Sequence, residues 1–252
     1  NDIRLGDVVA GIPKGRSSGV VQYDLGKDKE SDIFQTTGSL RGPPRSLASA
    51  INKLLSEPNP PSELLEQHLD KITKLMSEYR RPAQEAMPCT QCRSSEKVCS
   101  GYYGPPHASR PTIIHYGPIG SGNSVIKNAT RRDQLAREHG VLCFEMEAAG
   151  VVNAVSCLVI RGICDYCDVH KNDDWQNYAA ATAAAYSKLL LGVVAGKQGT
   201  GVKRPWGEFK EGQENYWNFN GDMPARYIDM TDSSFNGAIV IYVLRGAQYE
   251  IF

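Results

Sequence analysis

Three short segments carry residue types that could share one piece of chemistry: Ser121-Gly122-Asn123, Glu145-Met146-Glu147 and Asp165. A carboxylate can accept both hydrogen bonds of a cis-diol, and a second carboxyl that holds or shares a proton can donate to a leaving group. Each residue also has a plainer reading. Glu145 and Glu147 stand where a helix begins and could simply complement its dipole. Asp165, after an apolar run, could be a turn or N-cap residue. A Met such as Met146 is more often a core residue than a ligand contact. Asp168, His170, Asp173 and Asp174 follow closely and invite a metal, but a solvated loop is the simpler account.

The seven cysteines are odd in number and few for this length, which argues against a disulfide scaffold and for a reducing compartment. Cys89-x-x-Cys92, then Cys99 and His107, could offer zinc three thiolates and an imidazole. The second close pair of a zinc motif is missing, so an exposed loop with free or locally bridged cysteines stands beside that reading. Cys164-x-x-Cys167 is weaker still as a redox motif, because the preceding apolar run marks a strand end.

The elements that must position these residues follow from periodicity. Residues 3–9 and 19–24 are short β-rich runs. A helix is expected at 46–55, and another after Pro60-Pro61, where Leu65, Leu69, Ile72, Met76 and Tyr79 form an amphipathic stripe. Residues 80–110 lack periodicity and read as a surface excursion. Order returns at 112–116, followed by a Gly- and Ser-rich turn at 120–124. A polar helix is expected at 130–139, a buried strand at 141–144 and a helix on 145–152. Residues 157–164 form a continuous apolar run with one charge, Arg161, as in a strand covered on both faces. The Ala-rich stretch 175–194 is a strong helix. This alternation predicts an α/β sandwich. Ligands then bind beyond the carboxyl ends of the strands, where all three polar segments fall.

The tail from Lys203 is rich in aromatics, and residues 237–246 read as a strand. It either packs on the main domain or a partner, or forms a small β module. Two domains are thus drawn, 1–200 and 201–252.

Among 252 residues, 28 Lys and Arg balance 28 Asp and Glu, so nothing predicts a nucleic-acid binder. No apolar run approaches the roughly 20 residues that cross a bilayer, so no membrane partner is expected. The N-terminus has neither an initiator Met nor the apolar core of a signal peptide and reads like the middle of a domain. A cytoplasmic location is the default expectation.

The segments Ile114-His115-Tyr116-Gly117 through Ser121-Gly122-Asn123, Cys143 to Gly150, and Val159 to Tyr166 resemble the nucleoside phosphorylase/nucleosidase superfamily, in particular its fungal branch of purine nucleoside phosphorylase and methylthioadenosine nucleosidase-like modules. Asp2-Ile3-Arg4-Leu5-Gly6-Asp7-Val8-Val9 matches that family's central strand. The resemblance covers roughly residues 1–195. It implies an α/β, three-layer sandwich around a mixed, partly barrel-like sheet, usually oligomeric, here a homo-oligomer, that cleaves the N-glycosidic bond of purine nucleosides. Glu147 and Met146 would bind ribose, Asp165 would be the catalytic group that helps the base leave, and Val125, Ile126 and Glu145 would bind the base. No metal or cofactor is implied; inorganic phosphate is the possible co-substrate, water the other acceptor. To donate at neutral pH, Asp165 would need a raised pKa, which burial beside Ile163 could give. An Asp at this place leans toward adenine-type bases.

One departure shapes the expectation. Family members carry a first βαβ unit, with a Gly-rich phosphate or water loop, before the strand that opens this sequence. Either the first part is missing from this sequence, another chain supplies it, or the fold is rebuilt without it, in which case residues 237–246 could fill the vacant place beside the strand at 3–9. Arg4, Arg41 and Arg45 remain as possible phosphate contacts. The leading reading is a nucleoside phosphorylase or nucleosidase. The alternatives are an inactive nucleoside-binding or protein-interaction module, and a carbohydrate-binding or cytotoxic protein on the same scaffold.

Overall fold

The computed structural model describes residues 2–30, 33–58, 60–82, 110–169, 171 and 173–196, together with the backbone of two later strands. In chain order the elements are β1 (Val8–Gly11), β2 (Val20–Gln22), β3 (Gly26–Lys29), β4 (Ile33–Thr36), α1 (Arg45–Ser56), α2 (Pro61–Leu75), β5 (Ile114–Gly117), β6 (Ile119–Ser121), α3 (Ala129–His139), β7 (Cys143–Glu145), α4 (Ala148–Ala154), β8 (Cys157–Gly162), α5 (Gln176–Gly196), β9 (Ala225–Met230) and β10 (Ile239–Leu244). Cys89, Cys92, Cys99 and His107, most of the 80–110 excursion and His170 lie outside the described residues.

The expected mixed α/β architecture is present. A five-stranded sheet runs β5-β1-β8-β10-β9, a three-stranded sheet β2-β6-β7, and β3 pairs with β4 in a hairpin. In the larger sheet β1 pairs parallel with β5 and antiparallel with β8. The smaller sheet is parallel throughout. β5 feeds β6 across Pro118, whose missing N–H lets the strand leave one ladder and join the next.

Alternation along the central strands builds the layers. Val8, Ala10, Leu158 and Ile160 face α1, α2 and α5 in one core. Val9, Cys157 and Val159 face the other way, onto Val20, Ile119 and the α4 residues Ala148 and Val152. Every residue of β8 is buried, as its unbroken apolar run requires. Each fully buried Leu or Ile here contributes about 1.5–3 kcal/mol of transfer free energy. In α1, Leu47, Ala50, Ile51 and Leu54 supply the buried stripe at helical spacing. Pro61 opens α2, where a missing N–H costs nothing. Asn128 accepts from Arg131 N at 3.0 Å to start α3, and Gly140, at φ 65°, ends it.

Four differences from the sequence expectation have physical causes. The strand expected at 3–9 begins only at Val8, because Asp7 Oδ2 accepts from Arg4 N at 2.9 Å and closes a turn. The expected turn at 120–124 starts inside a strand, since β6 needs only three residues to bridge β2 and β7. The β3–β4 hairpin shows no apolar alternation and escaped notice. Finally, β10 pairs parallel with β8, Val240 opposite Cys157, and not with the strand at 3–9. Both edges of β1 are already taken by β5 and β8, which leaves the open edge of β8 for the tail.

The start of β1 carries a buried polar knot. Asp7, 3% exposed, accepts from Arg110 Nη2 at 2.7 Å, from Ile113 N at 3.1 Å and from Arg4 N, and shares a hydrogen bond with His115 Nε2 at 2.9 Å. Burial would raise its pKa, but His115, the two backbone amides and Arg110 together hold it below 3.8.

Candidate functional site

The carboxyl ends of β6, β7 and β8 converge on a cleft of about 510 Å³ whose opposite wall is α3. Val125, Ile126, Glu145, Met146 and Asp165 all line it. Ile126 is buried against Tyr23 and Leu135, whereas Val125 is 50% exposed at the rim. Phe144 meets Tyr23 edge-on at 5.7 Å between ring centroids and stiffens this apolar wall. Glu147 is half-buried and does not line the cleft; its Oε2 accepts from Met146 N at 3.3 Å.

Glu145 does the work that its plainer reading anticipated. Its Oε2 accepts from Glu147 N at 3.0 Å and Ala148 N at 2.7 Å, while Ser121 Oγ accepts from Ala149 N at 3.0 Å. The neighbouring Ser121 hydroxyl favours the charged form of the Glu145 carboxyl. Two side chains from adjacent strands thus satisfy three of the open N–H groups that begin α4. The conventional cap position holds Glu147, which makes no side-chain cap bond. Burial of Glu145 outweighs these bonds and the nearby Arg161 and raises its pKa. Its Oε1 is buried and unpartnered among the described residues.

Asp165 follows β8 and is held from several sides. Lys171 Nζ lies 3.2 Å from Oδ2, Cys167 N donates to Oδ1 at 2.8 Å, and Cys164 Sγ donates to Oδ2 at 3.5 Å. Burial raises the carboxyl pKa, but Lys171, the Cys167 amide and the Cys164 thiol more than reverse this, and the net direction is downward. The raised value expected from burial beside Ile163 is therefore not found, because a lysine six residues on supplies the counter-charge. Cys164 and Cys167 are free, and burial pushes their thiols up to about 11 and about 12. They are protonated donors, not redox nucleophiles.

Sequence reasoning passed over the cations that line the cleft. Arg161, 4% exposed, reaches the cleft from β8, with Nη1 buried and unpartnered among the described residues. Burial lowers its pKa, but Cys164, Glu145, Cys143 and Glu147 raise it further. Arg132 of α3 donates to Tyr166 O at 2.7 Å and pairs with Asp133 at 2.8 Å, tying the helix to the Asp165 loop. The lone charge in an otherwise apolar strand was the available signal for Arg161. Nothing in the spacing marked Lys171. Arg4, Arg41 and Arg45 do not line the cleft, and Arg4 pairs with Asp2 at 2.7 Å. Among the described residues no cluster of three or more His, Cys, Asp or Glu could hold a metal. Likewise, none of the described helices is long and apolar enough to cross a membrane.

No family model matches the chain. Over 202 residues it is 44% identical to a nucleotide-binding leucine-rich repeat-like protein of Hyaloscypha variabilis, in a match that takes in 77% of this chain and 20% of that one. Three solved structures are similar. They are the 5′-methylthioadenosine/S-adenosylhomocysteine nucleosidase of S. pneumoniae (TM-score 0.44, 15% identity), the futalosine hydrolase of Helicobacter pylori (0.40, 17%) and the methylthioadenosine/S-adenosylhomocysteine nucleosidase of Neisseria meningitidis (0.41, 14%). These solved chains are members of the nucleoside phosphorylase/nucleosidase superfamily. The matches cover 77%, 78% and 78% of this chain and 63%, 62% and 64% of those, so the chain spans less than two thirds of each of these three solved chains and a fifth of the curated relative.

Proposed function

We propose that the cleft binds a purine nucleoside and that the protein cleaves its N-glycosidic bond, passing the ribosyl group to phosphate or to water. The observation that carries this reading is the convergence of Asp165, Met146, Glu145, Val125 and Ile126 on one cleft at three strand ends. Its volume of about 510 Å³ is in the range of small-molecule sites. Val125 and Ile126 offer the base an apolar wall. Met146 lies under the ribose, and Glu147 takes the 2′ and 3′ hydroxyls by turning away from Met146 N. Breaking the bond puts positive charge on the sugar and negative charge on the base, so a carboxylate near the hydroxyls and an acid near the base assist both halves. Phosphate is the expected co-substrate for phosphorolysis, and a homo-oligomer the expected assembly.

The geometry of Asp165 favours a second reading, a nucleoside-binding module without turnover. A carboxylate that is paired with Lys171 and held below its ordinary pKa has no proton to give at neutral pH. One assay separates the two. Adenosine, inosine and 5′-methylthioadenosine are incubated with the protein, with and without phosphate, and free base is measured by chromatography. Phosphate-dependent release marks a phosphorylase, and phosphate-independent release a nucleosidase. Saturable adenosine binding without release leaves the binding module. Absence of both binding and release rejects the cleft as a nucleoside site.

A further inference from the structure

The loop after β8 holds an arrangement that the cleavage chemistry does not itself demand. Lys171 and Asp165 form an ion pair at 3.2 Å in which both side chains are nearly buried, 11% and 8% exposed. Both line the cleft. The same carboxylate also accepts from Cys167 N and Cys164 Sγ, so both of its oxygens are engaged by the chain itself. A group so held is well oriented, but it offers no proton, and a ligand must share oxygens that the chain already engages.

We propose that Lys171 is a positioning residue that acts through Asp165, and that release of the Lys171 ammonium from the carboxylate is the event that lets Asp165 serve as an acid. The inference rests on the cleavage reading above. In the step concerned, the C1′–N9 bond of the nucleoside breaks and its electron pair leaves with the base. A proton on Asp165, taken from solvent after the pair opens, passes to N7 of the base, and phosphate or water closes on C1′. While Lys171 stays in place, Asp165 protonates only in acid, and base release is confined to low pH.

The other charged or titratable groups of the cleft do not substitute for Lys171. Arg161 projects from β8, Cys143 and Glu145 from β7, Arg132, Asp133 and Arg137 from α3, and Cys164, Tyr166 and Cys167 from the loop that carries Asp165. Arg132 is engaged by Tyr166 O and Asp133. Among the described residues, Lys171 is the cation within ion-pair distance of Asp165.

The test uses the full chain as wild type, Lys171→Met, Lys171→Gln and Lys171→Arg. Two quantities are read: the titration of the Asp165 carboxyl by carbon-13 NMR, and the pH profile of kcat/KM for adenine release. Lys171→Met and Lys171→Gln are expected to move the Asp165 titration, and the falling limb of the profile, upward by at least about one pH unit. Lys171→Arg keeps both near wild type. Base release with an unmoved limb in Lys171→Gln overturns the proposal and leaves the cleavage reading intact. A titration that does not move overturns it as well. A titration that moves without base release from any of the four proteins overturns the cleavage reading, and the acid role of Asp165 with it.

Discussion

Ser121 Oγ and the Glu145 carboxylate meet over the first turn of α4 and between them accept from the amides of Glu147, Ala148 and Ala149. The helix that follows Met146 and Glu147 is therefore anchored by strands β6 and β7 and not by a residue of its own cap. Ser121→Ala strips the acceptor from one buried amide and is expected to cost about 1–2 kcal/mol. Glu145→Ala strips two and leaves the buried Arg161 with less negative charge nearby, for a loss of about 3 kcal/mol. Urea unfolding of the two variants measures this, and a Glu145→Ala loss no larger than that of Ser121→Ala would refute the shared cap.

The Asp7 knot gives a pH dependence of definite sign. Its folded pKa lies below 3.8, so its contribution to stability is complete above the unfolded value and is lost as pH falls through the folded one. Asp7→Ala leaves two backbone amides without their acceptor and Arg110 Nη2 with only the Asp2 carbonyl, at 3.3 Å, and is expected to cost about 3–5 kcal/mol near neutrality. Asp7→Asn keeps a polar side chain but not the titration. Urea midpoints followed from about pH 6 to about pH 2 should fall less steeply for Asp7→Asn than for wild type, and parallel curves would show that the knot does not titrate.

Most of the scaffold was legible because its cause is local. The stripe of Leu47, Ile51 and Leu54, the Ala-rich α5 and the unbroken apolar run of β8 each announce one element by period or propensity. The cleft was half legible. Val125, Ile126, Glu145, Met146 and Asp165 were all marked, and they line it together. What escaped was the state of those residues. Glu145 is held by the amides that begin α4, and Asp165 by Lys171, through contacts that only the folded chain creates. The β3–β4 hairpin was invisible for the opposite reason: Lys27, Asp28 and Lys29 of β3 are exposed, and the segment carries no apolar alternation.

Close packing of β8 on α5 makes Gly162 a sensitive position beside the cleft. A β-carbon there would overlap the backbone carbonyl of Ala179, which cannot move without displacing α5 from the sheet. Gly162→Ala is expected to destabilise by at least about 2–3 kcal/mol through overpacking. By contrast, a β-carbon at Gly150, on the open side of α4, meets nothing within 4 Å. Gly150→Ala should therefore be neutral or slightly stabilising, since Ala loses less backbone entropy in a helix than Gly. Thermal unfolding of the pair tests the contrast, and equal midpoints would show that the β8–α5 contact is looser than it looks.

Glu147 supplies the sharpest test of how the cleft is used. Its carboxylate rests on Met146 N at 3.3 Å, a long bond that a ribose diol can replace with two charge-assisted ones. Glu147→Gln keeps the shape but removes the charge, and it should weaken adenosine binding by about tenfold or more, while free adenine, which has no diol, binds as before. Isothermal titration with the two ligands separates the roles. Equal loss for both would move Glu147 to the base, and no loss for either would remove it from the site. Glu145→Gln provides the comparison. If its carboxylate serves α4 alone, adenosine and adenine should lose affinity by the same small factor. A selective loss of adenine would instead restore Glu145 to the base, through the one oxygen, Oε1, that the helix leaves unpartnered.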